Sequence, residues 1–401
     1  MSNIEELIEQ LCAEGVEFRE LGEMCEFMNG KGHEKHIIEN GKYIVVNSKF
    51  VSTGGNVKKY SDQQISPIFI NDILMVMSDL PKGKALAKCF VVDKNDKFTL
   101  NQRIGAFTVK DRSKTDSMFL YYILNRNKQL LRFDNGSDQT NLRKDDILKI
   151  SIPNPPLPIQ QKIVTILDQF TQLQAELEAE LHARRAQYEY YRNQLLNFEG
   201  KEVEWAEIDK VFHIRNGYTP SKAKVEYWTN GTIPWFRMDD IRTNGRILSD
   251  SIQHISPEAV KGNKLFPANS IIVSTSATIG EHALLTVDSL ANQRFTYLTR
   301  KGKYLDKLDI KYFFYYMFIL DEWCKININI SGFAGVDMSK FKKYRIPIPP
   351  LAEQNRIVSI LDQFDKLVND KKEGLPAEIE ARRKQYEYYR GKLLDFKRMN
   401  N

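Results

Sequence analysis

Cysteine is scarce in this chain, and the four present (Cys12, Cys25, Cys89 and Cys324) lie far apart with no Cys-x-x-Cys spacing. That pattern excludes a zinc knuckle or a disulfide framework and fits a reducing compartment, where buried, inert thiols are expected. No apolar run approaches the roughly 18 residues that cross a bilayer. The opening Met1-Ser-Asn-Ile-Glu-Glu-Leu-Ile is acidic and amphipathic, unlike a secretory signal, so a cytoplasmic location is expected. A GxxxxGK[ST] nucleotide loop is missing, as is a nuclease carboxylate cluster. His33-Glu34-Lys35-His36 is one residue short of HExxH, whose two histidines must share one helical face, and no metal site is expected there.

What is present points to two folded domains. A hydrophobic share of 42% and 11% aromatics exclude wholesale disorder, and 401 residues exceed one small core. The net charge of +6 favours nucleic acid or an acidic partner over a basic one, although charge alone does not decide it.

The chain repeats itself. Ile166-Leu-Asp-Gln-Phe170 recurs as Ile360-Leu-Asp-Gln-Phe364. Ala183-Arg184-Arg185, one residue, then Gln187-Tyr-Glu-Tyr-Tyr-Arg192 recurs as Ala381-Arg382-Arg383, one residue, then Gln385-Tyr-Glu-Tyr-Tyr-Arg390. Around these blocks, apolar residues from Ile163 to Leu195 fall at spacings of three and four, a heptad-like seam of about 36 residues, or ~54 Å at ~1.5 Å per residue. The second copy follows the same pattern with extra residues around Gly374-Leu375-Pro376, where a break or kink is expected. Pro-rich hinges, Ile152-Pro-Asn-Pro-Pro-Leu157 and Ile346-Pro-Ile-Pro-Pro-Leu351, introduce both helices.

The segments before the helices share a skeleton but differ in most residues. Asn29-Gly30 matches Asn216-Gly217, Asp72 to Ser78 matches Ser270 to Ser276, and Asn101-Gln102-Arg103 matches Asn292-Gln293-Arg294. Short β-rich runs between Gly, Asn and Asp clusters, closed by helical patterns near Met118 to Leu131 and Ile310 to Trp323, predict mixed domains.

The expected fold is therefore α+β: two mixed α/β domains joined by two long helices that form an antiparallel coiled-coil pair, with an internal pseudo-two-fold repeat. The expected divisions are 1–156 (first domain, opening on a short helix), 157–199 (central helix), 200–350 (second domain), 351–396 (second helix, interrupted near 374–376) and a tail at 397–401.

These blocks resemble the specificity subunit of type I restriction-modification systems, and the resemblance covers essentially the whole chain. The Pro-Pro-Leu hinges, the Ile-Leu-Asp-Gln-Phe and Ala-Arg-Arg-x-Gln-Tyr-Glu-Tyr-Tyr-Arg blocks, and the opening Glu5 to Phe18 all carry it. It implies a non-catalytic subunit whose two target-recognition domains each read half of a bipartite double-stranded DNA target. The helices would set the half-site spacing and dock two modification (methyltransferase) subunits, with restriction subunits further out. S-adenosylmethionine and ATP would belong to those partners, with no cofactor in this chain. The sequence agrees in part: ~54 Å of helix matches about one and a half duplex turns at ~34–36 Å per turn. Ala175-Glu-Leu-Glu178 followed by Ala179-Glu-Leu-His182 is a four-residue step within the first helix.

DNA contacts are expected from basic, amide and aromatic side chains on loops, because Arg and Lys hold phosphates or read guanine while Asn and Gln pair with adenine. In the first domain these are Asn29, Lys31, Lys49, Lys58, Lys59, Lys82, Lys84, Arg103 and Gln139. In the second they are Arg215, Tyr218, Lys222, Arg237, Arg242, Asn292 and Arg294. Arg184, Arg185 and Tyr190, with Arg382, Arg383 and Tyr388, form the expected partner-docking face, whereas Tyr188 and Tyr191 fall on the seam. Two rivals remain open at this level. One is a coiled-coil protein-interaction scaffold without DNA specificity. The other is a DNA methyltransferase or nuclease in its own right, for which Asn154-Pro155-Pro156-Leu157 lacks the aromatic of the adenine-methyltransferase loop and reads as a hinge.

Overall fold

A computed structural model describes residues 2–81, 83–329 and 334–399. The chain folds as two compact units that cut across the helices: Met1–Leu177 with Ile379–Asn401, and Glu178–Glu378. Each mixed α/β domain thus takes a length of helix from both long segments into its own unit.

In the first unit, Cys25–Asn29, Ile104–Val109, Ile73–Val76 and Cys89–Val91 form an antiparallel sheet in that spatial order. In the second, Phe212–Asn216, Phe295–Arg300, Ser270–Ser274 and His282–Leu285 take the same order, and Ile247–Leu248 adds a parallel edge. A smaller sheet beside each also repeats. Tyr43–Val46 runs parallel to Phe98–Leu100, as Ile233–Phe236 runs parallel to Leu290–Ala291. The leading and trailing strands of each domain close on one another: Phe18–Glu20 on Ser151–Pro153, and Glu204–Glu207 on Arg345–Ile348. Proline is tolerated in these two-stranded edges because it need not donate to a second neighbour.

Helix ends follow their caps. Asp116 accepts from the N–H groups of Met118 and Phe119 to start Ser117–Leu124, and Asp309 accepts from Lys311 and Tyr312 to start Ile310–Ile326. The central helix is continuous from Leu157 to Leu195. The second segment is two helices, Leu351–Asn369 and Leu375–Leu393. Between them the Asp370 carboxylate accepts from Lys372 and Glu373 N–H, and Pro376 sits in the first turn of the new helix, where its missing N–H costs nothing.

The helical segments pack against each other inside both units through the repeated blocks. Phe170 stacks on Tyr389 (ring centroids 5.5 Å, planes at 28°) and meets Tyr386 edge-on, while Phe364 stacks on Tyr191 (5.6 Å, 28°) and Tyr188 (6.2 Å, 26°). Ile159, Ile163, Leu167 and Leu393 join the core of the first unit, and Tyr188, Ile357, Leu361 and Val368 that of the second. Among the described residues, no helix is long and apolar enough to cross a membrane.

Candidate nucleic-acid interface

Two short motifs, distant in sequence, become one hydrogen-bonded edge in each unit. In the first, Gly30 N–H donates to Ile104 O (3.1 Å), Lys31 N–H to Leu100 O (3.1 Å), Asn101 N–H to Val46 O (3.0 Å) and Met77 N–H to Arg103 O (2.9 Å). In the second, Gly217 N–H donates to Phe295 O (2.9 Å), Tyr218 N–H to Ala291 O (2.9 Å), Asn292 N–H to Phe236 O (3.1 Å) and Thr275 N–H to Arg294 O (3.0 Å). The Asn-Gly strand end therefore crosses the Asn-Gln-Arg turn at close range in both. A Cβ on Gly30 would lie 2.0 Å from Asn101 O, and one on Gly217 would lie 2.2 Å from Ala291 O, so glycine is what permits the crossing. Each turn is tied by its own asparagine, Asn101 Oδ1 accepting from Gln102 N–H and Asn292 Oδ1 from Arg294 N–H. Arg103 is held at φ +71°, the left-handed region that non-glycine residues seldom occupy and that clusters at functional sites.

This edge gathers many of the residues expected to touch DNA. Asn29, Lys31 and Arg103 are exposed on it, and Gln139 joins it by donating to Ser78 Oγ (2.8 Å), beside Met77. In the second unit Arg215 (its guanidinium 4.5 Å from the Phe266 ring centroid), Tyr218, Arg237, Asn292 and Arg294 belong to the same edge. Tyr218 is braced rather than free: its hydroxyl donates to Ala259 O (3.3 Å) and accepts from Lys261 N–H (2.7 Å). Lys49, exposed on Ser48–Ser52, and Lys58 and Lys59, exposed before Tyr60–Ser61, flank the smaller sheet instead. Lys84 is exposed in the loop that Asp79 organises by accepting from Ala85 and Leu86 N–H, and Lys82 lies outside the described residues. Lys222 is exposed in the loop after Tyr218, and Arg242 is exposed on Met238–Asn244, 4.0 Å from Asp239.

The motifs weighed for other chemistry are occupied structurally. His33 is fully buried, with Nδ1 2.7 Å from Lys31 O and Nε2 2.8 Å from Thr99 Oγ1, and so braces the Lys31 loop. Asn154 Oδ1 and Pro155 O both accept from the Gln160 amide. Burial pushes the thiols of Cys25 and Cys324 up to about 12, and raises those of Cys89 and Cys12.

Sequence reasoning missed the fasteners between each domain and its helix. Gln160, fully buried, accepts from Asp116 N–H and donates to Lys114 O, while Gln354 accepts from Asp309 N–H (2.7 Å) and donates to Lys307 O (2.8 Å) and Pro349 O (2.7 Å). Tyr122 donates to Asp168 (2.5 Å) and Tyr315 to Asp362 (2.6 Å); burial first, and then the carboxylate, push both hydroxyls far up, so they remain donors. The signal was available: both hinges continue as Pro-Pro-Leu-x-x-Gln, and both aspartates sit in the Ile-Leu-Asp-Gln-Phe block.

On the helices, Tyr190 and Tyr388 are 61% and 59% exposed, so neither is held by a core. Arg185 and Arg383 are exposed too, whereas Arg184 and Arg382 are half-buried and donate to Gln187 and Gln385. The same outward pattern of Arg, Glu and Tyr is displayed once on each unit.

A family profile described as "Type I restriction modification DNA specificity domain" matches residues 13–184 and 200–381. The chain is 60% identical over 206 residues to the type I restriction enzyme EcoprrI specificity subunit of Escherichia coli, a match spanning 50% of this chain and 51% of that one. It is 40% identical over 305 residues to the EcoR124I/EcoR124II specificity subunit of Escherichia coli, spanning 71% and 72%. The match thus covers about half the length of the first relative and more than two thirds of the second. In fold it resembles a chain solved in work on complex assembly and conformational transition of the type I restriction-modification system (TM-score 0.66, 16% identity, 95% and 97% covered). It also resembles the type I S subunit from M. genitalium (TM-score 0.55, 15% identity, 95% and 96% covered).

Proposed function

The chain belongs to the type I restriction-modification DNA specificity family, and from that premise we propose that its two units each read one half of a bipartite duplex target. One observation carries this. Both units build the same edge from Asn-Gly and Asn-Gln-Arg through four matched backbone bonds, yet surround it with different side chains. A shared frame with divergent contents suits a pair of readers for two different half-sites, because register comes from backbone contacts and sequence discrimination from side chains on base edges. The DNA-facing set is the one gathered on these edges with the flanking lysines.

The repeated Arg185/Tyr190 and Arg383/Tyr388 faces are the proposed docking surfaces for two modification subunits, since one partner type needs the same surface twice. The chain itself supplies recognition and no chemistry. S-adenosylmethionine and ATP belong to the modification and restriction subunits, which do the work in the cytoplasm. The length of the helical segments sets the gap between half-sites.

Binding of the full-length protein to duplex libraries over a range of salt tests the proposal. Sequence-dependent binding that weakens steeply with salt supports it, because phosphate contacts release counterions. Sequence-indifferent or salt-insensitive binding would leave the scaffold without DNA specificity as the better account.

A further inference from the structure

We propose that Arg237 reads a guanine edge in the half-site of the second unit, with Arg294 holding the DNA backbone beside it. The inference rests on the reading above, that each unit reads one half-site.

The internal repeat supplies a comparison that needs no relatives. The matched backbone bonds place Lys31 opposite Tyr218, Val46 opposite Phe236 and Met77 opposite Thr275, so Asn47 and Arg237 hold the same position. Side chains identical in both readers cannot distinguish two different half-sites. Asn29/Asn216 and the two Asn-Gln-Arg turns are therefore frame and backbone contacts, and discrimination falls to the positions that differ.

Three of the residues at those positions are already committed or have nothing to offer. Met77 has no strong hydrogen-bonding group. Tyr218 spends its hydroxyl on Ala259 O and Lys261 N–H. Thr275 Oγ1 lies 3.0 Å from Thr296 Oγ1, which donates to Asn216. In the first unit Asn47 caps a helix by accepting from Phe50 N–H (2.9 Å).

Arg237 stands at the equivalent cap, but a guanidinium has no acceptor and does not cap: Asp240 N–H donates to Arg237 O (3.1 Å), and the Asp240 carboxylate accepts from Arg237 N–H (2.6 Å). Its guanidinium lies 5.7 Å from the centroid of Trp235, a ring fixed in turn by Nε1–H donating to Tyr218 O (3.1 Å) and by edge contact with Trp228 at 4.9 Å. Among the described residues no carboxylate forms an ion pair with the Arg237 side chain, and its Nε is buried without a hydrogen-bond partner. A planar cation held against an aromatic wall, next to a turn that carries Arg294, has its terminal N–H groups unspent. The base edge that matches such a fork is guanine, through O6 and N7.

The test is selection from a randomised duplex library with the full-length protein and its Arg237→Lys, Arg237→Ala and Arg294→Ala variants. Arg237→Lys keeps the charge and removes the fork. Loss of preference for one G·C pair in the second half-site, by roughly tenfold to a hundredfold in both Arg237 variants, is expected from the worth of one bidentate pair. The other half-site, kept intact, shows that the protein remains folded. Arg294→Ala should weaken all sequences alike and lower the salt slope by about one. Unchanged preference at every position in Arg237→Lys overturns the inference while the two-reader proposal stands. A wild-type protein with no sequence preference overturns both.

Discussion

Gln354 offers a sharp test of how a recognition domain is fixed to its helix. It is fully buried, and its amide makes three bonds: from Asp309 N–H, to Lys307 O and to Pro349 O. Gln354→Leu keeps the volume and strands one donor and two acceptors. At about 1–3 kcal/mol for each unsatisfied group, with the carbonyls at the low end because each has a second lone pair, the loss is about 3–5 kcal/mol. For a unit the size of Glu178–Glu378, each kcal/mol lowers the melting temperature by about 2–4 °C, so calorimetry should show a fall of roughly 6–20 °C. Gln354→Glu adds a pH signature. A buried glutamate facing two carbonyl oxygens has its folded-state pKa raised above the ordinary ~4.3. The neutral acid can donate to only one carbonyl, so at low pH the penalty is limited to the other carbonyl; the cost of ionisation adds to it as pH rises from the unfolded-state value and is complete above the folded-state value. This variant should therefore lie nearer wild type at pH 5 than at pH 8. A fall below about 2 °C in Gln354→Leu, or the opposite pH order in Gln354→Glu, would refute the fastener.

Gly217→Ala, whose Cβ would sit 2.2 Å from Ala291 O, should abolish recognition of one half-site and spare the other, as methylation mapping in cells with the modification partner would show. Removing Ala175 to Glu178 shortens the helix by ~6 Å and rotates it by ~40°; the gap between half-sites should change by about one base pair with both half-sites intact, and an unchanged gap contradicts the ruler. Tyr190→Ala with Tyr388→Ala removes two exposed rings, so stability should shift by less than about 0.5 kcal/mol while co-purification with the modification subunit weakens. Alkylation followed by mass spectrometry should label half-buried Cys12 first and reach Cys25, Cys89 and Cys324 only on unfolding, because burial suppresses the thiolate that reacts.

The parts of this protein that periodicity and duplication encode were legible without coordinates. The helical blocks, the Pro-Pro-Leu hinges, the interruption beside Gly374 and the separate recurrence of Asn-Gly and of Asn-Gln-Arg are all local patterns. So was the sorting of Tyr188 to the seam and Tyr190 to the surface, since neighbours two apart on a helix cannot share a face. For Lys49, Lys58, Lys59 and Lys84 the sequence offers residue type alone, and type does not say which loop lies beside which.

What only the tertiary structure decided is where those patterns meet. That Gly30 crosses Asn101, and Gly217 crosses Ala291, depends on strands brought together from distant parts of the chain. The repeated arginine shows the limit most plainly. Arg390 donates to the carbonyls of Tyr122 (2.6 Å) and Asn125 (2.5 Å), capping the short helix Ser117–Leu124. Arg192, in an identical block, meets the longer Ile310–Ile326 and lies over Phe318 at 4.2 Å, its Nε without a partner. One hexapeptide has two fates because a side chain's partners are set by the length of the element packed against it, and that length is written elsewhere in the chain.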